Sequence, residues 1–417
     1  MNYIHKISVL FIFTLLPIAD TFGGLTNDFM PLSLLGRLCV LALALPIIIN
    51  CSRLFTEILP PLYLTFSYFL IVTLVQLLVS DTLDYGLLAI SNAIKIMYFP
   101  VLLATIIVLS EKNIISTSTI SHGILLTGIL VIISIILGRV SGLGTDIAGR
   151  GTDISGNRGF MIGANEVGLM LLLTAPSVMV WIGGLKVLYK IKNFIALAIY
   201  CVSAIIVLTK SSIASILIPI ANWLLHSGKN RASSGLLISV KLTSLSVLLI
   251  VLLIAYGNEI ETILGKTFLS SLIDGNMLGF IFRGRSDYYE AILPGLINHD
   301  FNSIIILFGA GEGLIRSLSM APLGRSASDA TMFEMDALDL FWAYGWIGFF
   351  LYLTLIYYLI RKAKLSKLTP LHSFAIALTL IHSVLAGHVI FSPQVSTLIA
   401  FTLMLYSKRL ARSTENT

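Results

Sequence analysis

Arg283-Gly-Arg285 places two guanidinium groups two residues apart, a spacing that can fork onto the several oxygens of a diphosphate. The plain alternative is a pair of arginines at the surface or at lipid headgroups. Further along, Glu334-Met-Asp336-Ala-Leu-Asp339 runs straight into Leu340-Phe-Trp-Ala-Tyr-Gly-Trp346. Asp336 and Asp339 are three apart and share one face of a helix. Acids at a helix start cap its free N–H groups and are favoured by its dipole, so one of them needs no other explanation. Three acids within six positions exceed what a cap requires. A carboxylate here can accept a proton or orient a sugar hydroxyl. We read Glu334 or Asp336 as the base and Asp339 as the structural member. The aromatic residues that follow can stack on sugar rings or anchor the helix at a membrane interface, the second being the commoner use.

Other residues stand at the edges of apolar runs. Asn157-Arg158-Gly-Phe160 and Gly163-Ala-Asn165-Glu166 lie where one polar stretch gives way to an apolar one. Asn165 and Glu166 can serve simply as a helix cap. Lys210 sits in the turn Thr209-Lys-Ser-Ser212, where snorkelling to headgroups is the simple reading. His388 ends an apolar run in Ala386-Gly-His388; a lone histidine is usually structural, but this one falls on the same side as the arginines. Lys95 lies inside an apolar run, where a charge is costly and faces a cavity or a partner. Phe308-Gly-Ala-Gly-Glu-Gly313 lacks the Lys-Ser/Thr of a nucleotide-binding loop, so its glycines are better explained by a tight turn against a neighbouring segment. In the stretch 139–162, Gly144-Thr-Asp-Ile147 repeats as Gly151-Thr-Asp-Ile154.

The elements that must hold these residues are membrane-spanning helices. The chain is 57% hydrophobic and 12% charged, with a mean hydropathy of +0.95. Soluble domains carry roughly twice that charge. Apolar runs near the ~20-residue crossing length recur throughout. They predict an all-α, polytopic membrane protein with about twelve transmembrane helices, at 5–21, 33–50, 60–80, 87–109, 119–138, 163–182, 194–209, 211–226, 236–256, 338–360, 371–388 and 392–407. The seventh and eighth are short and abut, so a hairpin that does not fully cross is an alternative. The chain forms one integral domain, 1–417, with a large extracytoplasmic loop at 257–337 and a second at 139–162. A loop as long as the central one, with paired arginines, glycines and acids, is usually functional.

Basic residues set the orientation. Arg53, Lys112, Lys186, Lys190, Lys192, Lys229, Arg231, Arg361, Lys362, Lys364, Lys367 and the tail share one set of loops, which the positive-inside rule makes cytoplasmic along with both termini. The central loop then faces outward. Its arginines and those of 139–162 run against the rule, and an anionic substrate on that face is the simplest account. The net charge of +6 is thereby a topological signal, with no nucleic-acid partner implied. Cys39, Cys51 and Cys201 have neither metal-binding nor disulfide-framework spacing.

In order and context these segments resemble the O-antigen polymerase and O-antigen ligase superfamily of bacterial polysaccharide enzymes. The resembling pieces are Asn157-Arg158 with Asn165-Glu166, Leu208-Thr-Lys-Ser-Ser212, and Arg283 and Arg285 with the glycine cluster. Glu334-Met-Asp336 with Tyr344-Gly-Trp-Ile-Gly348, and Gly387-His388, complete the set. The resemblance implies a glycosyltransferase of the bacterial inner membrane that needs no metal or cofactor. Its donor and acceptor are glycans linked through diphosphate to undecaprenol; a flippase and a chain-length regulator of the same pathway are its implied partners. Carried onto this chain, it implies Glu334, Asp336 and His388 as catalytic residues. Arg158, Asn165, Lys210, Arg283, Arg285 and Asp339 are the implied substrate contacts. Ligases of the superfamily usually carry a histidine in the large loop before the next span. Here that position reads Glu334-Met-Asp336, and His299 lies early with different neighbours, so a repeat-unit polymerase is expected over a ligase. A flippase or other transporter predicts charges within several spans and two related halves; mainly Lys95 and Lys241 fit the first of these, and the sequence shows no related halves.

Overall fold

The computed structural model describes residues 32–49, 52–79, 86–112, 114–144, 157–161, 163–184, 192–207, 209–227, 285–298, 302–323, 332–387 and 389–407. They form fourteen helices and no β-strand beyond isolated bridges. In chain order these are α1 (Leu32–Ile49), α2 (Ser52–Val79), α3 (Gly86–Glu111), α4 (Thr117–Ser141), α5 (Ala164–Gly184), α6 (Lys192–Val207) and α7 (Lys210–Ser215). They continue with α8 (Leu217–Ser227), α9 (Arg285–Ile297), α10 (Asn302–Phe308), α11 (Gly311–Leu323), α12 (Asp336–Ala363), α13 (Pro370–Ala386) and α14 (Pro393–Met404).

Five of these helices are long and apolar enough to cross a membrane: α2, α3, α4, α5 and α12. α1, α6, α13, α14 and the stretch Ser211–Asn222 are shorter and also apolar. The expected spans at 33–50 through 211–226, and from 338–360 onward, fall on helices. Those at 5–21 and 236–256 lie outside the described residues. The stretch expected as the eighth span, 211–226, is instead two short helices, α7 and α8, that meet at Ile216.

Burial separates the middle of the bundle from its rim. In the apolar stretches of α3 and α5, 83% and 78% of residues are buried, against 28% in α2. α2 turns Tyr63, Leu64, Ile71, Val75 and Leu78 outward, an apolar face suited to lipid. α3 packs against α1, α2 and α14, and α5 against α4, α6, α7, α13 and α14.

The described part of the central segment is not an irregular connector. α9 buries Tyr288, Ile292 and Leu296, spaced four apart along one face, and packs on α11. α11 in turn lies against α2, α3 and α12, so this segment closes over the heads of the long helices.

α12 is broken near its start. Gly345 has φ 67° and ψ −177°, a conformation open only to glycine, and it releases three carbonyls from the helical ladder. Each finds another donor. Ala310 N–H donates to Trp342 O at 2.7 Å, Gln76 Nε2 to Ala343 O at 2.7 Å, and Tyr68 Oη to Tyr344 O at 2.9 Å. Buried carbonyls demand such partners, and lipid could not supply them. The crossing is tight, because a Cβ on Gly345 would lie 2.2 Å from Leu307 O and one on Gly309 would lie 2.2 Å from Ala343 O. The glycine cluster thus serves backbone contact with α12 and α2.

Candidate active site at the heads of the helices

Glu334 precedes α12 with φ 56°, an uncommon backbone conformation for a residue with a side chain. Arg285, at the start of α9 and buried, holds it there. Arg285 Nε donates to Glu334 O at 2.9 Å, and its terminal nitrogen lies 3.4 Å from Glu334 Oε2. The Glu334 side chain keeps 32% of its surface exposed, whereas that of Arg285 keeps 8%. The pair is therefore reachable on its carboxylate side. A left-handed backbone stabilised by a buried guanidinium is the kind of strain that gathers at functional positions.

Asp336 and Asp339 are wholly or almost wholly buried, and both bond to backbone N–H groups. Asp336 Oδ2 accepts from Ser383 Oγ at 2.7 Å, from Val389 N at 2.9 Å and from Ile390 N at 3.1 Å. It clamps the turn between α13 and α14 to the head of α12. Asp339 Oδ1 accepts from Phe333 N at 2.8 Å and ties down the strained entry to the helix. Gly387, with φ 60°, lets the same turn approach; a Cβ there would sit 2.6 Å from Glu334 O. Arg285, Glu334, Asp336, Asp339 and the flanks of His388 are thus in one place. His388 and Arg283 themselves lie outside the described residues.

A second polar group adjoins the first. Glu312, at the start of α11 and 4% exposed, receives Asn92 Nδ2 from α3 and Arg316 NH2 at 2.9 Å on the same oxygen, Oε1. Lys95, one turn below Asn92, is within electrostatic reach. Burial pushes the Glu312 carboxyl above the ordinary glutamate range; the charges of Arg316 and Lys95 and the bonds from Arg316 and Asn92 oppose this. Asp339 feels the charges of Asp336, Glu312 and Glu334, which places the four acids in one field.

Arg158, Asn165 and Lys210 gather elsewhere at the helix heads. Asn157 N donates to Ile206 O at 2.7 Å and fixes the 157–161 stretch on α6. Arg158 is half-buried, and burial lowers its pKa while the charge of Glu166 opposes the shift. Ser211 Oγ donates to Asn165 O at 3.3 Å, and Thr209 caps α7 by bonding Ser212 N. A Cβ on Gly168 would meet Ser211 Oγ at 2.2 Å, so the Lys210 turn is seated directly on α5. The Lys210 side chain itself lies outside the described residues.

The aromatic residues of α12 are mostly committed to packing. Trp342 stacks on Phe333 with both rings buried, and Tyr344 packs edge-on against Phe69 at 4.4 Å. Trp346 stacks on Phe350 at 5.2 Å, and both are exposed on the apolar rim, where a ring anchors a helix at an interface.

Asn92, Glu312 and Gln76 did not emerge from sequence motifs. One signal existed for the first two: Asn92 and Lys95 share a helix face inside an apolar run, and such a pair calls for a partner. That the partner is 220 residues away cannot be read locally. Among the described residues no group of three or more His, Cys, Asp or Glu side chains is arranged to hold a metal ion.

No protein-family model, no curated protein and no solved structure matches this chain.

Proposed function

We propose that the protein is a membrane glycosyltransferase that polymerises undecaprenyl-diphosphate-linked oligosaccharide repeats. In this reading about twelve apolar segments span or enter the bacterial inner membrane, both termini are cytoplasmic, and the segment 257–337 and the heads of the helices face outward. The observation that carries it is the Arg285–Glu334 pair at the head of α12, with a buried arginine and a reachable carboxylate.

The chemistry needs those two groups. An acceptor hydroxyl attacks the anomeric carbon of the donor and forms the new C–O bond. The bond from that carbon to the lipid diphosphate breaks, and the electron pair leaves with the diphosphate. Glu334 takes the hydroxyl proton and later releases it to water. Arg285 uses N–H groups not engaged by Glu334 to meet the charge growing on the diphosphate, the transition-state term that matters most. Arg283 is a further diphosphate contact in this proposal, with His388 as a reserve base, while Arg158 belongs to the separate group with Glu166. The leaving group is a weak base, so no general acid is required.

A second reading, a flippase for the same lipid-linked unit, is favoured by one observation. Buried Asn92 and Glu312 form, with half-buried Lys95 and Arg316, a polar set where helices meet. Deletion of the gene followed by electrophoresis of surface polysaccharide distinguishes the readings. Loss of the polymerase leaves single capped repeats; loss of a ligase removes all surface attachment. Loss of a flippase leaves lipid-linked repeats on the cytoplasmic side. Either of the last two outcomes would overturn the polymerase reading.

A further inference from the structure

Three rings form a column beside the Arg285–Glu334 pair. Trp342 stacks on Phe333 with centroids 6.4 Å apart, and Phe333 meets Tyr289 of α9 at 5.9 Å. The two inner rings are buried, while Tyr289 is 37% exposed. The packing of α9 is carried by its buried Tyr288, Ile292 and Leu296. Tyr289 is thus fixed by the column on one side and open on another.

The column and the ion pair hang on the same two pieces of backbone. Arg285 and Tyr289 are four apart and lie on one side of α9, ~6 Å along its axis. Their targets, Glu334 and Phe333, are consecutive. Arg285 holds the carbonyl and the carboxylate of Glu334, and Tyr289 meets the Phe333 ring. Asp339 Oδ1 accepts from Phe333 N at 2.8 Å, which fixes the residue beneath Tyr289 as well. The open ring and the reachable carboxylate therefore stand next to each other at the surface. Exposed Glu290 follows Tyr289, so this side of α9 is in water or among headgroups and not among acyl chains.

We infer that Tyr289 is the platform for the sugar ring whose hydroxyl Glu334 deprotonates. Aromatic chemistry beside a carboxylate selects that ligand. A pyranose turns C–H groups to one face and carries its hydroxyls around the rim. The electron-rich face of an aromatic ring attracts C–H groups and repels a diphosphate. A prenyl chain is disfavoured by the two carboxylates, Glu290 and Glu334. A sugar seated on Tyr289 presents its rim hydroxyls to Glu334, while Arg285 stays with the charge of the diphosphate. The role of this ring as the acceptor rests on the polymerase reading; the affinity for a sugar face follows from Tyr289 and its surroundings.

The test uses full-length protein in lipid nanodiscs and two probes. One is the lipid-diphosphate-linked single repeat extracted from a host strain lacking this gene; the other is undecaprenyl diphosphate without sugar. Tyr289→Leu and Tyr289→Gln remove the ring in an apolar and a polar way, and Tyr289→Trp restores one. Both ringless variants should bind the repeat roughly tenfold more weakly than wild type, the scale of one aromatic contact, and bind the bare lipid as wild type does. The half-saturating repeat concentration for elongation should rise by a similar factor, with the rate at saturation kept. Tyr289→Trp should recover the binding. Equal loss for both probes means that the ring anchors α9 at the headgroups, and overturns the platform. So does undiminished binding of the repeat by both ringless variants, a Tyr289→Trp as weak as Tyr289→Leu, or early melting of both ringless variants. Ring-dependent binding without elongation by wild type removes the polymerase reading and leaves the platform. Elongation that ignores the ring removes the platform and leaves the polymerase reading. A wild type that binds the repeat no better than the bare lipid overturns both.

Discussion

The roles of Glu334 and Asp336, alike in sequence, diverge at the level of single hydrogen bonds. Asp336 Oδ2 is saturated by a hydroxyl and two backbone N–H groups, and a carboxylate so bonded is a weak base. Glu334 is paired on one side and open on the other. Glu334→Gln keeps the Arg285 bond to the Glu334 carbonyl and loses only the ion pair on its half-open side, so it should melt within about 1 kcal/mol of wild type. Its elongation rate should fall ~10²–10⁴-fold, the usual worth of a general base. Asp336→Asn should instead cost about 1.5–3 kcal/mol, the scale of hydrogen bonds to a charged group, and lose activity with stability. Thermal melts and single-turnover gels on the two purified variants decide this; near-normal elongation by Glu334→Gln would remove the base role. Glu312 permits a separate test. Its carboxyl titrates higher in the folded protein than in the unfolded chain because burial disfavours the charge. The stability it contributes is fully present below the ordinary value of ~4.3 and is lost as pH rises through the raised folded value. Melting curves of wild type should show that decline on the alkaline side of ~4.3, and Glu312→Gln should lack it; superimposable pH profiles would show that the group is not buried as described.

At the scale of elements, the break in α12 is the joint on which the site hangs. It lets α10 and α11 approach the long helices closely enough for Glu312 to meet Asn92. Any Cβ at position 345 meets Leu307 O and forces a glycine-only backbone to change. Gly345→Ala should thus cost about 3 kcal/mol or more, beyond the range of most substitutions. Gln76→Leu strands the Ala343 carbonyl and should cost about 1–3 kcal/mol. Both follow from thermal melts in detergent, and a Gly345→Ala melt equal to wild type would mean the break is not required. The apolar runs were legible in the sequence because burial in lipid or in the bundle imposes composition over ~20 residues. The break was not, since Tyr344-Gly-Trp346 leaves the apolar run continuous and the donors that make it tolerable, Gln76 and Tyr68, come from α2. In the same way Arg285, Glu334 and Asp336 stood out as chemistry-bearing types. That Asp336 grips Val389 and Ile390 depends on the packing of α12, α13 and α14, which no local pattern encodes. The helices within 285–323 were hidden by the segment's polarity, although α11 separates an apolar from a polar side.

The whole molecule is electrically lopsided along its long axis. One end holds Glu312, Glu334, Asp336 and Asp339 with their arginines. The other holds Arg361, Lys362, Lys364 and Lys367, where Lys362 pairs with Glu57 and Tyr358 Oη bonds Glu57 O. That basic end also joins the last helix to the 365–369 stretch, since Ser366 N donates to Tyr406 O at 2.6 Å. Positive charge in short loops stays on the cytoplasmic side, so the acid-bearing end is expected outside. Reporter positions follow from exposure. Ser319 lies in the central segment but is fully buried and donates to Arg316 O, so a cysteine there would be silent in either orientation. Glu290 on α9 and Lys367 beyond α12 are both exposed and stand at opposite ends. In a cysteine-free background, Glu290→Cys should react with a membrane-impermeant maleimide on intact spheroplasts. Lys367→Cys should react only after the membrane is opened. The pattern tests the charge argument directly, because both sites are surface positions and differ only in side. If Lys367→Cys labels from outside and Glu290→Cys does not, the bundle is inverted. A lipid-linked donor presented on the outer face could then no longer reach Arg285 and Glu334.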